Sequence, residues 1–396
     1  MKDSELLCSI AKKIATPAYV FDKAEFRNKA LDVKKRLGGN IAICYSIKAN
    51  PFLVDGYFQP TSLFDKFEVC SIGELRICRN CGIPANMVLF SGVNKNVSEI
   101  EEAYSYGVRL FTIESFNHIK YISLVGEKNG DVLPVLIRIS ADSQFGINEN
   151  EVKEIIRDRA NYPHIDISGI HYFTGTQKKE YNIIAKELLF LKEFCEEVQK
   201  AYDFKIMNVE YGLGLGVVYF EDQKTGVISI DSVLLELQEL SSITKLTIEM
   251  GRYFAGTCGY YFTKIVDCKT NNNTNYAIVD GGMNQLHYDG QVRSMKVPLH
   301  THIKLKPCNT TKIKKNWTIC GSICSTEDVI CRDVEFDCLT EGDVLAFMNC
   351  GAYSFMESMS MFLSREMPQI WASTEETELE LLRDFIYTES FNRRMR

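Results

Sequence analysis

The chain has 396 residues, 45% of them hydrophobic and 24% charged, which suits a globular protein with a large buried core and room for two domains. Its net charge of −7 comes from 52 acidic and 45 basic residues that are interspersed, so no basic stripe is available to hold nucleic acid. The charged opening MKDSELLCSIAKKIA reads as neither a signal peptide nor an anchor, and no segment reaches the roughly 18 uninterrupted apolar residues of a membrane span. A cytoplasmic location is expected, with the 14 dispersed cysteines as reduced thiols. Cys78 and Cys81 form a CxxC, but no second pair or nearby histidine completes a zinc site, and no metal is expected.

In chain order, Thr16-Pro17-Ala18-Tyr19-Val20-Phe21 is strand-like and precedes the first long helical pattern. Short apolar runs then alternate with amphipathic helical stretches. Candidate strands are 41–46, 67–70, 87–90, 110–113, 135–139, 165–172, 206–211 and 246–250, with helices such as 72–81, 98–106 and 182–202 between them. Eight strand–helix repeats predict a (β/α)8 barrel over 25–250, in preference to a doubly wound sheet. After Gly251 the runs 260–266, 276–279, 317–320 and 344–348 are separated by turns, and 271–275 is a polar hairpin tip. This predicts an all-β domain, a sandwich or barrel, formed by 251–396 together with 1–24.

In such a barrel, function sits at the C-terminal ends of the strands. Lys48 follows the first barrel strand and precedes the turn Asn50-Pro51; desolvation there would free its amine to attack an aldehyde. Gly212-Leu213-Gly214-Leu215-Gly216 follows the seventh strand, and glycines let backbone N–H groups approach an anion. Glu249-Met250-Gly251-Arg252 follows the eighth and sets an anion beside a cation. Individually these read as a strand-capping lysine, a flexible turn and a structural ion pair. Together on one rim they suggest pyridoxal phosphate: aldehyde to lysine, phosphate to glycines, pyridinium nitrogen to carboxylate.

At these residues the sequence resembles the fold-type III pyridoxal-phosphate decarboxylases, the diaminopimelate and ornithine decarboxylase group. The likeness runs nearly end to end. It takes in Ser46-Ile47-Lys48-Ala49-Asn50-Pro51, Glu68-Val69-Cys70-Ser71-Ile72-Gly73-Glu74-Leu75, Gly169-Ile170-His171-Tyr172-Phe173-Thr174-Gly175-Thr176-Gln177, Val279-Asp280-Gly281-Gly282-Met283, Cys324-Ser325-Thr326-Glu327-Asp328 and Gly351-Ala352-Tyr353. The resemblance implies an amino-acid decarboxylase. Lys48 would form the Schiff base, and Glu249 would pair with the pyridine nitrogen. Thr176, Gly214, Gly216, Gly251, Arg252 and Tyr353 would hold the cofactor. Cys324, supplied by the partner subunit of a homodimer with shared sites, would protonate the carbanion. Ser325, Asp328 and Tyr288 are weaker substrate-site candidates.

The chain departs from the family in three respects: at the cofactor ring, where the aromatic Phe173 can still stack, in the glycine motif, and at the grip on a diamino acid. Phe173 stands where the family has a ring-stacking histidine, and Leu213 where it has another glycine. Ser325 and Tyr288 replace a glutamate and an arginine that hold the charged far end of diaminopimelate. One branch of the family looks closer: the decarboxylase of butirosin biosynthesis, which acts on a glutamyl group attached to an acyl carrier protein. The resemblance implies as substrate an amino acid or a glutamyl-like aminoacyl group tethered to a carrier protein, in a biosynthetic pathway of secondary metabolism. Diaminopimelate decarboxylation, or a non-catalytic binding protein with the same fold, is the alternative.

Overall fold

The computed structural model describes residues 4–223, 227–306, 314–374 and 378–394. Contacts divide the chain into two units. One comprises Arg27–Gly216 and Gly226–Phe254; the other comprises Met1–Phe26, Val217–Thr225 and Ala255–Arg396.

The second unit opens with a helix, Ser4–Ala11, and with β1, Ala18–Asp22. The first unit then builds a closed parallel barrel from β2 (Ala42–Ser46), β3 (Lys66–Val69), β4 (Val88–Phe90), β5 (Leu110–Ile113), β6 (Leu133–Ile139), β7 (Ile165–Tyr172), β8 (Asn208–Gly212) and β9 (Lys245–Met250). The pairing of β9 with β2 closes it, with Glu249 opposite Cys44. The eight strands fall where the apolar runs predict them, because parallel strands covered by helices must be apolar on their outer faces. Helices Ile72–Asn80, Val97–Tyr106 and Tyr181–Tyr202 supply three of those covers. Ser71 caps the first, its side chain accepting from the Glu74 N–H, and Asn96 with Glu99 forms a capping box on the second.

The second unit is mostly sheet: β10 (Gly259–Asn271), β11 (Thr274–Val279), β12 (His300–Ile303), β13 (Lys315–Cys320), β14 (Val329–Phe336), β15 (Val344–Met348), β16 (Gln369–Ser373) and β17 (Leu379–Arg383). Its main path runs β14-β13-β11-β10-β1-β16-β17, with β15 pairing both β10 and β12. The N-terminal strand thus sits inside the sheet, antiparallel to β10 and parallel to β16. The polar tip expected at 271–275 is the β10–β11 hairpin turn, where Asn272 and Asn273 take positive φ.

No helix among the described residues is long and apolar enough to cross a membrane. Cys78 and Cys81 are free thiols, as are the other described cysteines apart from Cys338. Cys338 is disulfide-bonded, so the expectation of uniformly reduced thiols fails at that position.

Candidate active site

Side chains alternate along a strand, so every second residue of a barrel strand points inward. In β2, β3, β7, β8 and β9 the inward positions are polar near the C-terminal end. Lys66 Nζ meets Glu210 Oε2 at 3.0 Å and Thr247 Oγ1 at 3.3 Å. Two residues further along β3 and β9 come Glu68 and Glu249. Because β2 lies between β3 and β9, Ser46 reaches both carboxylates: its hydroxyl donates to Glu249 Oε1 at 2.6 Å and also contacts Glu68.

Lys48 occupies the 3-10 turn Ile47–Ala49 that leaves β2. Its Nζ lies 2.9 Å from Glu68 Oε2, 3.4 Å from Cys70 Sγ and 4.0 Å from Glu249 Oε1. Desolvation, the expected means of freeing this amine, is incomplete here, since two carboxylates face an ammonium that is 39% exposed. Glu249 Oε2 accepts from His171 Nε2 at 3.0 Å. Burial pushes the Glu249 carboxyl upward, but the His171 hydrogen bond, the Lys48 charge and the Ser46 hydroxyl outweigh it and hold the group well below the usual carboxylate range. Glu249 is therefore a buried, ionised carboxylate. His171 Nδ1 is buried with no hydrogen-bond partner among the described residues.

Two loops lie side by side beyond β7 and β8. The Lys178 N–H donates to the Gly214 carbonyl at 3.0 Å, and Lys178 bridges to Leu215. Gly214 takes φ +68, and a Cβ there would stand 2.3 Å from the Gly175 oxygen, so only glycine fits. A Cβ at Gly175, by contrast, would meet nothing within 4 Å, which leaves open space over that turn. Leu213 is fully buried, so the loop absorbs its departure from glycine by turning the side chain into the core. Gly216 is buried in the same loop. Arg252 is buried and donates from Nε to Thr176 Oγ1 at 3.1 Å, joining the ends of β9 and β7. Gly251 lets β9 close on the Lys48 turn, since a Cβ there would lie 2.8 Å from the Ser46 oxygen. The Phe173 ring packs over Gly212, 2.4 Å from where a Cβ would stand.

The sheet unit carries the remaining candidates. Cys324 is an exposed free thiol. Ser325 Oγ accepts from the Glu327 N–H at 3.2 Å within the same turn. Asp328 is buried, and its carboxylate accepts from Met283 N at 2.8 Å and Ile323 N at 2.9 Å. Gly282 and Gly321 pack so closely on it that a Cβ at either would fall within 2.6 Å of Asp328 Oδ1. Both its oxygens thus help to tie the Gly282 and Cys324 turns together. Tyr288 lies in the same unit. Its hydroxyl donates to the Met348 carbonyl at 2.7 Å in a buried cluster with Tyr219 and Phe220, although it does line a cavity of about 170 Å³ shared with His287, Arg293 and Glu327. Tyr353 adopts φ +65, an uncommon conformation for a bulky residue that concentrates at functional sites.

The barrel therefore assembles Lys48, Glu249, Thr176, Gly214 and Arg252 at one end. It adds Ser46, Glu68 and His171, to which the sequence motifs assigned no role. The signal for them was the two-residue period: Ser46 precedes Lys48 by two, and His171 precedes Phe173 by two.

A lysine amine beside a buried ionised carboxylate, with an open glycine turn and a buried arginine on the same rim, fits pyridoxal phosphate. The arrangement defines a pyridoxal-phosphate barrel enzyme. Residues 23–256 match the family described as "Pyridoxal-dependent decarboxylase, pyridoxal binding domain". The chain belongs to this family of decarboxylases, and pyridoxal phosphate is its cofactor. Among curated relatives, it is 26% identical to the L-glutamyl-[BtrI acyl-carrier protein] decarboxylase of Niallia circulans, over 92% of this chain and 90% of that one. It is also 26% identical to the 2-[(L-alanin-3-ylcarbamoyl)methyl]-2-hydroxybutanedioate decarboxylase of Staphylococcus aureus, over 91% and 95%. In fold it matches the diaminopimelate decarboxylase of M. jannaschii, crystallised with L-lysine, at a TM-score of 0.84 and 22% identity, over 97% and 93% of the two chains.

Proposed function

We propose that the protein removes the α-carboxylate from a glutamyl-like aminoacyl group tethered to a carrier protein, working as a homodimer with shared sites. The observation that carries the decarboxylase chemistry is the buried, ionised Glu249 held between Ser46, His171 and Lys48. Pyridoxal phosphate, when bound, supplies an electron sink for the bond that loses carbon dioxide. Lys48 would hold the cofactor through its side-chain amine. Glu249 stays anionic because His171 and Ser46 occupy its two oxygens with hydrogen bonds, and it would keep a ring nitrogen of the cofactor protonated. The Gly214 and Gly216 backbone, Thr176, Arg252 and Tyr353 would hold the phosphate, while Phe173 would give the ring an apolar face. Cys324 Sγ, from the partner subunit, delivers the proton to the α-carbon.

The absence of fixed charge at Ser325 and Tyr288 supports a tethered substrate. Ser325 caps its own turn and Tyr288 hydrogen-bonds to backbone, so neither position offers an ionic grip on a free distal zwitterion. Carbon dioxide release with added cofactor tests the reading, comparing a glutamyl-loaded acyl carrier protein with free meso-diaminopimelate. Release from the carrier alone is expected. Release from the free diamino acid alone would overturn the substrate assignment and leave the enzyme a diaminopimelate decarboxylase.

A further inference from the structure

Behind the two glycine-bearing loops lies an ionic cluster that none of the roles above uses. Lys178 and Glu187 are both buried and form an ion pair. Glu187 belongs to helix Tyr181–Tyr202, on the buried stripe that includes Ile184, Leu188 and Leu191, where a carboxylate is costly unless fully paired. It is fully paired. Thr174 Oγ1 donates to Glu187 Oε1 at 2.5 Å, while Lys178 Nζ and the Tyr211 hydroxyl both reach Oε2. One carboxylate thus ties together the loop after β7, the end of β8 and the helix between them. The Lys178 stem completes the clamp: a Cβ at Gly214 would lie 3.0 Å from Lys178 Cε, and the Lys178 N–H holds the Gly214 carbonyl at 3.0 Å. Burial pulls the Lys178 amine down and the Glu187 charge opposes it, as expected of a cation retained only by its partner. Buried ion pairs are weak stabilisers compared with apolar pairs of the same volume, so stability alone does not explain this one.

We propose that Lys178 and Glu187 are positioning residues for the cofactor phosphate: their buried pair sets the spacing between the Gly175 turn and the Gly214 loop. This rests on reading those loops as the phosphate cradle. The test compares binding of pyridoxal phosphate and of pyridoxal, which lacks the phosphate, to apo-enzyme by absorbance titration. The wild type should prefer the phosphorylated form. A Lys178→Met, Glu187→Gln double variant removes both charges while preserving volume. It should melt near the wild-type temperature and lose about tenfold or more of that preference, the size seen when a residue behind a ligand-holding group is removed. Its affinity for pyridoxal should stay unchanged. Equal weakening toward both compounds, or an unaltered preference, would overturn the proposal. No preference in the wild type would instead refute the reading of the loops themselves. If the double variant does not fold, Glu187→Gln alone is read by the same ratio.

Discussion

The role proposed for Glu249 requires a charged carboxylate, and that charge depends on neighbours contributed by different strands. Ser46 from β2 and His171 from β7 each satisfy one carboxylate oxygen, and Lys48 adds a positive charge 4.0 Å away. Replacing it with glutamine keeps the shape and removes the charge. Glu249→Gln should lower kcat by about 10²–10³, the scale of losing one preorganised electrostatic partner, in steady-state turnover. The same residue makes a pH prediction. Its folded pKa lies below that of the unfolded chain, so the stability it confers is fully present above the ordinary glutamate value of about 4.3 and is lost as pH falls toward the folded value. Thermal melts of wild type and Glu249→Gln should therefore show a gap that is constant near neutrality and narrows below about pH 4.3. A gap that widens in acid would mean that Glu249 is protonated in the native state.

The loops after β7 and β8 act as one element although they are far apart in sequence, because Gly214 permits an approach that no side chain tolerates. Gly214→Ala meets two obstacles: a positive φ that costs an L-residue about 1–2 kcal/mol, and a Cβ driven onto the Gly175 carbonyl. We expect a loss of about 2 kcal/mol or more in urea unfolding, together with release of cofactor during dialysis. Full retention of cofactor with normal stability would show that the two loops need not touch. At this scale the sequence was most readable. The eight barrel strands are legible because burial on both faces makes them apolar runs between amphipathic helices. Lys48, Glu249 and the glycine loop are legible because chemistry collects at strand ends. Ser46, Glu68 and His171 were not, because their importance comes from registers between β2, β3, β7 and β9 that motifs in linear order do not display. The commitment of Tyr288 to the Met348 carbonyl was hidden for the same reason.

For the molecule as a whole, the proposed dimer makes one demand that neither subunit can meet alone. If Cys324 serves the site of the partner subunit, inactive Lys48→Ala and Cys324→Ala proteins should regain activity when mixed and allowed to exchange subunits. Up to about a quarter of wild-type turnover is expected, since half the chains form mixed dimers and each mixed dimer holds one intact site. No recovery despite demonstrated exchange would place Lys48 and Cys324 in one chain's site.

The placement of β1 carries a consequence for the order in which the protein forms. Translation releases Ala18–Asp22 before either of its neighbours, since the strands on either side of it, β10 and β16, come from Gly259–Asn271 and Gln369–Ser373. The barrel strands, all between Ala42 and Met250, are complete well before β16 emerges. Domains generally acquire structure as they leave the ribosome, and contacts distant in sequence form slowly. β1 must therefore wait with unpaired edges while more than two hundred residues of barrel fold behind it. During that interval the nascent chain exposes a short, apolar Ala-Tyr-Val-Phe segment to any chaperone or neighbouring strand that can reach it.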